Sequence, residues 1–219
     1  MTPSLKIKIC GITRMEDALA ACSLGVDLLG FNFVPVSKRY LNPYTARHII
    51  DSLPPFVGKV GIFADEDPSV INDLADFLDL DAAQLHGSEN VQFCRKVKVP
   101  VLKAVHVQGP EDLAELEKYK VSGFLLDTKV EGELGGTGQT FPWEHAVDFC
   151  REHRVIVAGG LTPDNVAKAV KTLAPYGVDT ASGVEISPGV KDVDLMEKFV
   201  RAARCAAAGN GGKCSGIAC

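Results

Sequence analysis

The feature that most constrains the fold is a repeated alternation of short apolar runs with helix-like segments. Eight β-rich runs are found, at residues 6–10, 28–34, 59–64, 82–86, 99–105, 123–128, 155–160 and 177–183. Most of these runs are almost continuously apolar, as is typical of parallel strands that are covered on both faces. The segments between them have the apolar spacing of amphipathic helices. The pattern therefore predicts an α/β protein built from repeated strand–helix units.

Eight such units in 219 residues predict a (β/α)8 barrel of eight parallel strands, close to the minimum size of that fold. A doubly wound open sheet is the structural alternative, and it is disfavoured because no GxGxxG motif follows the first strand. The barrel is expected to be a single domain that spans residues 5–206. The remaining segment, 207–219, is small, glycine-rich and aperiodic, which predicts a flexible tail.

Composition and charge exclude some kinds of binding partner and indicate the compartment of the protein. Hydrophobic residues make up 46% of the chain, which is enough for a substantial core, and the net charge of −5 offers no electrostatic case for binding nucleic acid. No apolar run approaches the roughly 18 residues that span a bilayer, and no signal peptide is evident. The cysteine count is odd and no CxxC pair occurs, which favours a cytoplasmic protein. No exposed apolar stripe is obvious, so a monomer is expected rather than a homodimer.

Three helix starts are indicated by local signals. Thr13 and Glu16 have the spacing of a capping box ahead of the first helix. Asp67 and Pro68 have the types expected at the N-cap and the first position of another helix, and Thr162 and Pro163 repeat that pattern before a later one. These signals predict where three of the connecting helices begin.

In a (β/α)8 barrel the active site lies at the carboxyl ends of the strands, so polar residues at those ends are the candidates. Cys10 ends the first run and Asp127 lies at the end of the sixth. A thiol near its ordinary pKa of about 8.5 supplies some thiolate at neutral pH, and a carboxyl group in a partly apolar pocket can hold a proton. Cys10 and Asp127 are therefore candidate base and acid. The alternatives are that Cys10 packs in the core and that Asp127 caps a helix or turn.

Three glycine loops at strand ends suit a phosphate, because glycine lets several backbone N–H groups approach one anion. Loops after the seventh and eighth strands are the usual phosphate position in these barrels. The candidate phosphate and substrate contacts are Gly136 in "GGTG", Gly159 and Gly160 in "AGGLTPDN", and Asp179, Ser182 and Gly183 in "DTASGVE". The alternative is that these glycines only allow tight turns.

Two further side chains at strand ends are candidate substrate contacts. Arg39 follows the second strand and carries a guanidinium fork that suits a carboxylate or a phosphate, although a surface arginine is the alternative. His86 ends the fourth strand and is expected to contact substrate or to bond the neighbouring loop. No convergent set of zinc ligands is apparent. Neither a metal nor a cofactor is expected.

Seven stretches together resemble the phosphoribosylanthranilate isomerase family of tryptophan biosynthesis. They are "KICGIT", "GFNFVPVSKRY", "VGIFAD", "AAQLHGSE", "LLDTKVEGELGGTGQTFPWE", "VAGGLTPDNV" and "GVDTASGVEISPGVKD". The matches run in the family's order from the first strand to the last helix, roughly residues 5–203. The resemblance implies a (β/α)8 fold and a cofactor-free Amadori rearrangement of a phosphosugar–anthranilate substrate. N-(5-phosphoribosyl)anthranilate becomes 1-(2-carboxyphenylamino)-1-deoxyribulose 5-phosphate.

Carried over to this chain, the resemblance implies that Cys10 is the general base, Asp127 the general acid and Arg39 the ligand of the anthranilate carboxylate. The phosphate loops of the family fall on Gly136, on Gly159 and Gly160, and on Ser182 and Gly183. The family usually has proline where this chain has Lys38. That difference predicts a less rigid loop beside Arg39.

Competing functions are separable by residues at strand ends. The histidine-pathway aminoaldose isomerases use an aspartate where this chain has Cys10. Indole-glycerol-phosphate synthase uses a strand-end lysine, which Lys103 could imitate, and ribulose-phosphate epimerase needs a metal set. A non-catalytic phosphosugar-binding barrel would keep the glycine loops and lose the acid–base pair. Retention of both Cys10 and Asp127 favours the isomerase.

Overall fold

The computed structural model describes residues 4–107, 109–127 and 143–209. Within them, eight parallel strands form a closed barrel in sequential order, and pairing of the first strand with the eighth closes it. The predicted barrel is thus confirmed, and the open-sheet alternative is wrong. The strands are β1 (Lys6–Cys10), β2 (Leu28–Asn32), β3 (Gly58–Phe63), β4 (Ala82–Leu85), β5 (Val101–His106), β6 (Gly123–Asp127), β7 (Val155–Ala158) and β8 (Gly177–Thr180).

Helices connect the strands around the outside of the barrel. They are α1 (Met15–Ser23), α2 (Pro43–Asp51), α3 (Pro68–Leu78), α4 (Val91–Cys94), α5 (Pro110–Ala114), α6 (Val147–Glu152), α7 (Val166–Leu173) and α8 (Val193–Ala207). Short 3-10 helices at Glu115–Lys118 and Trp143–Ala146 adjoin α5 and α6. No helix among the described residues has both the length and the apolar character to cross a bilayer. The predicted tail lies outside the described residues from position 210 onward.

Several strands end earlier than the apolar runs predicted. β2 ends at Asn32, β7 at Ala158 and β8 at Thr180. After β7 the backbone of Gly159 and Gly160 has φ angles of 91° and 69°, which an extended strand does not accommodate. The polar and glycine residues that follow the strands therefore lie in loops at the mouth of the barrel.

A small antiparallel hairpin between β8 and α8 was not predicted. Its strands are β9 (Glu185–Ser187) and β10 (Val190–Lys191), which pair antiparallel and carry a register shift. The two strands are only three and two residues long, and their apolar spacing gives no strand signal. The hairpin matters because it brings Glu185 and Lys191 to the mouth of the barrel.

One of the three predicted helix starts is confirmed. The start predicted at Thr162 and Pro163 is wrong, because α7 begins at Val166 with Asn165 at the N-cap. Asp67 accepts a hydrogen bond from the backbone of Ser69 at 2.7 Å, with Pro68 in the first turn of α3. The capping box predicted before α1 is wrong, because the N-cap position is Arg14 and no side chain caps it. Thr13 instead donates a hydrogen bond from Oγ1 to the carbonyl oxygen of Gly189. Thr13 therefore ties the first loop to the hairpin.

The apolar core has two layers. The larger layer lies between strands and helices and contains Ile7, Ile9 and Phe199, none of which is exposed. A smaller cluster fills the inside of the barrel with Leu102, Ala104, Leu125, Ile156 and Ala158. These interior side chains come from β5, β6 and β7. The interior next to β1, β4 and β8 is polar, and that asymmetry positions the site.

Candidate active site

One cavity opens at the carboxyl ends of the strands. It is lined by nine of the ten candidate residues named from the sequence: Cys10, Arg39, His86, Asp127, Gly159, Gly160, Asp179, Ser182 and Gly183. The tenth, Gly136, lies outside the described residues. The cavity therefore brings together side chains and loops from six of the eight strand ends.

The alternating residues of β1 place Lys8 and Cys10 on the same face of the strand, toward the barrel interior. Lys8 lies directly opposite Asp179 in the pairing of β1 with β8, and its Nζ is 3.0 Å from the Asp179 Oδ1 atom. The Lys8 side chain has no exposed surface. A buried charge requires a partner, and Asp179 provides it. Asp179 lines the cavity as expected, but the contact that the structure gives it is Lys8.

Cys10 is a free thiol at the end of β1. Burial raises the pKa of this thiol, and the ammonium groups of Lys8 and Lys191 oppose that rise while the Asp179 carboxylate adds to it. Burial also works to lower the pKa of Lys8, but Asp179 and Cys10 together raise it. The Lys8 ammonium thus stays charged beside the thiol, where it favours the thiolate form.

A second buried ion pair lies on the other side of Cys10. The Nζ atom of Lys191 is 2.8 Å from Oε1 of Glu185 and donates a hydrogen bond of 2.6 Å to the carbonyl oxygen of Cys10. The Lys191 side chain is fully buried and that of Glu185 is 4% exposed. This pair fixes the backbone that carries the thiol, because the hairpin and the end of β1 share one cation.

Arg39 lies in the loop after β2 and is held by the same carboxylate. Its Nε and Nη2 atoms donate to Oε1 and Oε2 of Glu185 at 2.8 and 2.6 Å. Burial raises the pKa of Glu185, but hydrogen bonds from Arg39 and Lys191 outweigh burial and hold that pKa below its ordinary value. Glu185 is therefore ionised at neutral pH, and it orients the guanidinium at the cavity wall.

Asp127 lies across the cavity at the end of β6, next to His86 from the loop after β4. The His86 Nε2 atom is 4.0 Å from Oδ2 of Asp127, and Nδ1 is 3.0 Å from the amide nitrogen of Gln84. Burial lowers the pKa of His86 despite the opposing effect of Asp127, so the ring is neutral at pH 7. Because the Gln84 amide donates to Nδ1, the hydrogen of the neutral ring is assigned to Nε2, on the Asp127 side.

The glycine loops after β7 and β8 are joined to each other. Thr180 donates a hydrogen bond from Oγ1 to the carbonyl oxygen of Leu161 at 2.7 Å. A Cβ atom on Gly183 would lie 1.9 Å from that same oxygen, so only glycine permits this approach. The two loops therefore present their backbones together at one side of the cavity, as a phosphate site requires.

Lys103, which could have imitated a synthase lysine, does not line the cavity. Its Nζ atom is 2.8 Å from Oε2 of Glu89 and donates to the carbonyl oxygen of Gly87. It therefore anchors the loop that carries His86.

Among the described residues, one group has metal-ligand atoms within 4.8 Å of one another, namely Glu117, Glu152 and His153. None of these three residues lines the cavity. The His153 ring instead stacks on Phe149, with ring centroids 4.2 Å apart, and it lies 3.0 Å from the Glu117 carboxylate.

Four residues of the site were missed in the sequence. Lys8 and Gln84 are interior strand residues, and Glu185 and Lys191 lie on the unpredicted hairpin. The alternation in "KIKIC" could have placed Lys8 on the face of Cys10, because residues two apart share a face of a strand. The sequence has no comparable signal for Glu185 or Lys191, since their meeting with Arg39 depends on the hairpin.

The fold and the cavity are those of a (β/α)8-barrel enzyme, in which a thiol and a carboxyl group line one cavity beside glycine loops of the kind that suit a phosphate. The family model for N-(5'-phosphoribosyl)anthranilate (PRA) isomerase matches residues 7–202. The chain belongs to this family.

Individual relatives agree with that assignment. N-(5'-phosphoribosyl)anthranilate isomerase of Geobacter sp. (strain M21) is 52% identical over 199 residues, which cover 91% of this chain and 98% of the relative. A phosphoribosyl anthranilate isomerase solved in complex with reduced 1-(o-carboxyphenylamino)-1-deoxyribulose 5-phosphate is 40% identical, with a TM-score of 0.83 and coverage of 91% and 98%. Monomers of the dimeric isomerase from Thermotoga maritima are also 40% identical, with a TM-score of 0.82 and the same coverage.

Proposed function

We propose that this isomerase converts N-(5-phosphoribosyl)anthranilate to 1-(2-carboxyphenylamino)-1-deoxyribulose 5-phosphate with Asp127 as general acid and Cys10 as general base. Family membership makes the chain an isomerase of tryptophan biosynthesis. The single observation that supports the two roles is that one cavity has the thiol and the carboxyl group on different walls, with the joined glycine loops that follow β7 and β8 beside them.

The first step opens the ribose ring. Asp127 donates a proton to the ring oxygen while the nitrogen lone pair forms a C=N bond and the bond from C1′ to the ring oxygen breaks. The product is an open-chain iminium ion. The neutral His86 ring lies beside this carboxyl group, with its Nε2 atom 4.0 Å from Oδ2, and supports its position. A positioned acid of this kind contributes about 10²–10⁴-fold.

The second step removes the hydrogen at C2′. The iminium cation accepts electrons, so the C2′ hydrogen becomes acidic and the Cys10 thiolate can abstract it. The C–H electron pair forms a C1′=C2′ bond, which gives an enolamine that tautomerises to the ketone. Lys8 and Lys191 oppose the effect of burial on the Cys10 pKa, so their charges increase the thiolate fraction.

Substrate binding uses both ends of the molecule. Arg39 binds the anthranilate carboxylate, and the loops that contain Gly159, Gly160, Ser182 and Gly183 bind the phosphate. Anchoring both ends places C2′ over the thiol and avoids the entropy cost of a search for that geometry. Gly136 is assigned to the phosphate site from the sequence alone, by the glycine pattern and by the family resemblance, since it lies outside the described residues.

The competing functions are disfavoured by particular residues. A histidine-pathway isomerase would have an aspartate at Cys10, and a synthase of the indole-glycerol-phosphate type would have a lysine in the cavity. Lys103 is bound to Glu89 and does not line the cavity. A purely phosphosugar-binding barrel would have no reason to hold a thiol between two buried ion pairs.

The loss of anthranilate-type fluorescence on addition of the protein to freshly made phosphoribosylanthranilate tests the function. The expected result is a protein-dependent fall that a coupled indole-glycerol-phosphate synthase confirms by consuming the product. Unchanged fluorescence with protein shown to be folded by circular dichroism would refute the isomerase function. Loss of the phosphate-free analogue at the same rate would refute the phosphate site.

Assembly and location remain predictions. A monomer was expected from the sequence, but the Thermotoga maritima relative is described as dimeric, and the Phe56 side chain of this chain is fully exposed. Sedimentation of the full chain measures its mass directly. The cytoplasmic location is favoured by the free thiols of Cys10, Cys22, Cys94 and Cys150, whereas Cys205 is disulfide-bonded.

A further inference from the structure

We propose that Glu185 is a positioning residue that sets the orientation of Arg39 for end-on binding of the substrate carboxylate. This inference rests on the proposed function, because it assumes that Arg39 binds the anthranilate carboxylate. It goes further by assigning a role to a hairpin side chain that does not line the cavity. Glu185 would act on the substrate only through Arg39.

The geometry of the guanidinium group carries the inference. Arginine has two edges that can form parallel hydrogen bonds to a carboxylate, one made by Nε and Nη2 and one made by Nη1 and Nη2. Glu185 accepts from Nε at 2.8 Å and from Nη2 at 2.6 Å, and so occupies the first edge with both of its oxygens. Arg39 lines the cavity, so the second edge is the one available to a ligand.

Charge balance explains why a carboxylate next to Arg39 does not cancel its attraction for substrate. An isolated Arg39–Glu185 pair would be neutral. Lys191 adds a second cation, with its Nζ atom 2.8 Å from the Glu185 Oε1 atom. While Cys10 carries its proton, two cations and one anion leave a net charge of +1, which an anionic ligand can neutralise. Lys191 also donates to the carbonyl oxygen of Cys10, so one buried group links carboxylate recognition to the base.

The residues around Arg39 also restrict the position of its side chain. Gly11 has a φ of 74°, and a Cβ atom on it would lie 2.3 Å from the Arg39 Cδ atom. The arginine stem therefore passes over a residue without a side chain. Glu185 itself is held by the backbone N–H of Gly189 at 3.2 Å as well as by Lys191. The carboxylate that orients Arg39 is thus fixed from two other directions.

The test is a comparison of two stable ligands. One is reduced 1-(o-carboxyphenylamino)-1-deoxyribulose 5-phosphate, and the other is its counterpart without the carboxyl group. Their dissociation constants are measured by calorimetry for wild type, Glu185→Gln and Arg39→Ala. The quantity compared is the dissociation constant of the ligand without the carboxyl group divided by that of the carboxylated ligand. This ratio measures how much the carboxylate strengthens binding, and it cancels all other contributions.

We expect Glu185→Gln to reduce this ratio by about tenfold, which corresponds to about 1.4 kcal/mol, while affinity for the ligand without the carboxyl group changes less than threefold. In turnover, KM should rise about tenfold, and this rise should be larger than any fall in kcat. In an Arg39→Ala background, Glu185→Gln should reduce the ratio no further. An unchanged ratio in Glu185→Gln, or a further fall in the double variant, would overturn the inference. Equal weakening of both ligands would also overturn it.

Two further variants keep the test decisive. Glu89→Gln removes a buried carboxylate that pairs with Lys103 instead, and it should leave the ratio unchanged. If Glu185→Gln does not fold, Gly11→Ala displaces the arginine stem without altering Glu185, and it should lower the ratio; an unchanged ratio would contradict the inference. Failure of the wild type to prefer the carboxylated ligand would instead refute the role of Arg39 in the proposed function.

Discussion

The side of the cavity that contains Cys10 and the side that contains Asp127 differ in burial and in the charge of their neighbouring residues. On the base side, Cys10 lies between the ion pairs Lys8–Asp179 and Lys191–Glu185, and the side chains of both lysines have no exposed surface. On the acid side, the side chains of Asp127 and His86 are 28% and 43% exposed, and Asp127 has a neutral ring as its neighbour. A thiol in a buried place needs nearby cations to ionise, whereas the side chains on the acid side are partly open to solvent.

The largest effects are expected when either reacting group is removed. Cys10→Ala and Asp127→Asn should each lower turnover about a thousandfold or more, because a positioned acid or base contributes about 10²–10⁴-fold. Steady-state kinetics with fresh substrate measures this, and binding of the reduced product analogue serves as the control for an intact site. Turnover close to that of wild type in either variant would show that the replaced residue is not the acid or base proposed for it.

Removal of a cation from the base side should have the next largest effect. Lys8→Met is expected to raise the pKa of Cys10 and to lower kcat about tenfold to a hundredfold at pH 7, because the thiolate fraction falls when the nearby ammonium group is removed. The rate of iodoacetamide alkylation at Cys10 against pH, read by mass spectrometry of the peptide, measures the pKa.

A matched control separates charge from stability. Lys103→Met also removes a buried lysine from an ion pair, but Lys103 lies beside Glu89 and not beside Cys10. Both variants should lower the urea midpoint, because each leaves a buried carboxylate without its partner. Only Lys8→Met should shift the alkylation profile. The same shift of the alkylation profile in both variants would mean that the charge of Lys8 has no specific effect on the pKa of Cys10.

A smaller effect is expected from the acid side. His86→Gln should reduce kcat by only about fivefold, because the ring lies 4.0 Å from the Asp127 carboxyl group, beyond hydrogen-bond distance, and supports its position without bonding to it. Burial lowers the pKa of His86. The plot of kcat against pH for wild type should therefore have no change in slope near pH 6.5 that is absent from the plot for His86→Gln. Comparison of the two pH–rate profiles checks this. A change in slope near pH 6.5 that is present in wild type and absent in the variant would indicate that His86 is charged below that pH. It would contradict the claim that the acid side has a neutral ring beside Asp127.

The smallest effect concerns stability at low pH. The folded-state pKa of Glu185 lies below its ordinary value, so its ionisation contributes stability above about pH 4.3. That contribution should be lost as the pH falls through the folded-state pKa. Urea unfolding of wild type and Glu185→Gln at pH 7 and at pH 3.5 measures it, and the difference between the two proteins should shrink at the lower pH. A difference that grows would contradict the direction assigned to Glu185.

The sequence predicted most of the fold, because hydrophobic periodicity is local. The eight runs located all eight barrel strands, and the errors were at strand ends such as Ala158 and Thr180, where glycines and polar residues follow. The capping box at Thr13 failed because a contact with Gly189, 176 residues away, took its hydroxyl. Local signals cannot anticipate such a contact.

The sequence predicted the site less completely. Residues at strand ends could be listed because the fold class says where to look. Lys8 was overlooked although its spacing from Cys10 places both on one face of β1. Glu185 was beyond reach, since its bond to Arg39 joins residues 146 positions apart through a hairpin of five strand residues. Positioning groups depend on tertiary contacts and carry no motif of their own.

The measurement that tests the central claim most directly relates the loss of activity to chemical modification of Cys10. The protein is treated with iodoacetamide to increasing extents, with and without the reduced product analogue, and each cysteine is quantified by peptide mass spectrometry. We expect residual turnover to fall in direct proportion to the unmodified fraction of Cys10, and the analogue to protect both. Full alkylation of Cys10 with activity retained would contradict its assignment as the base.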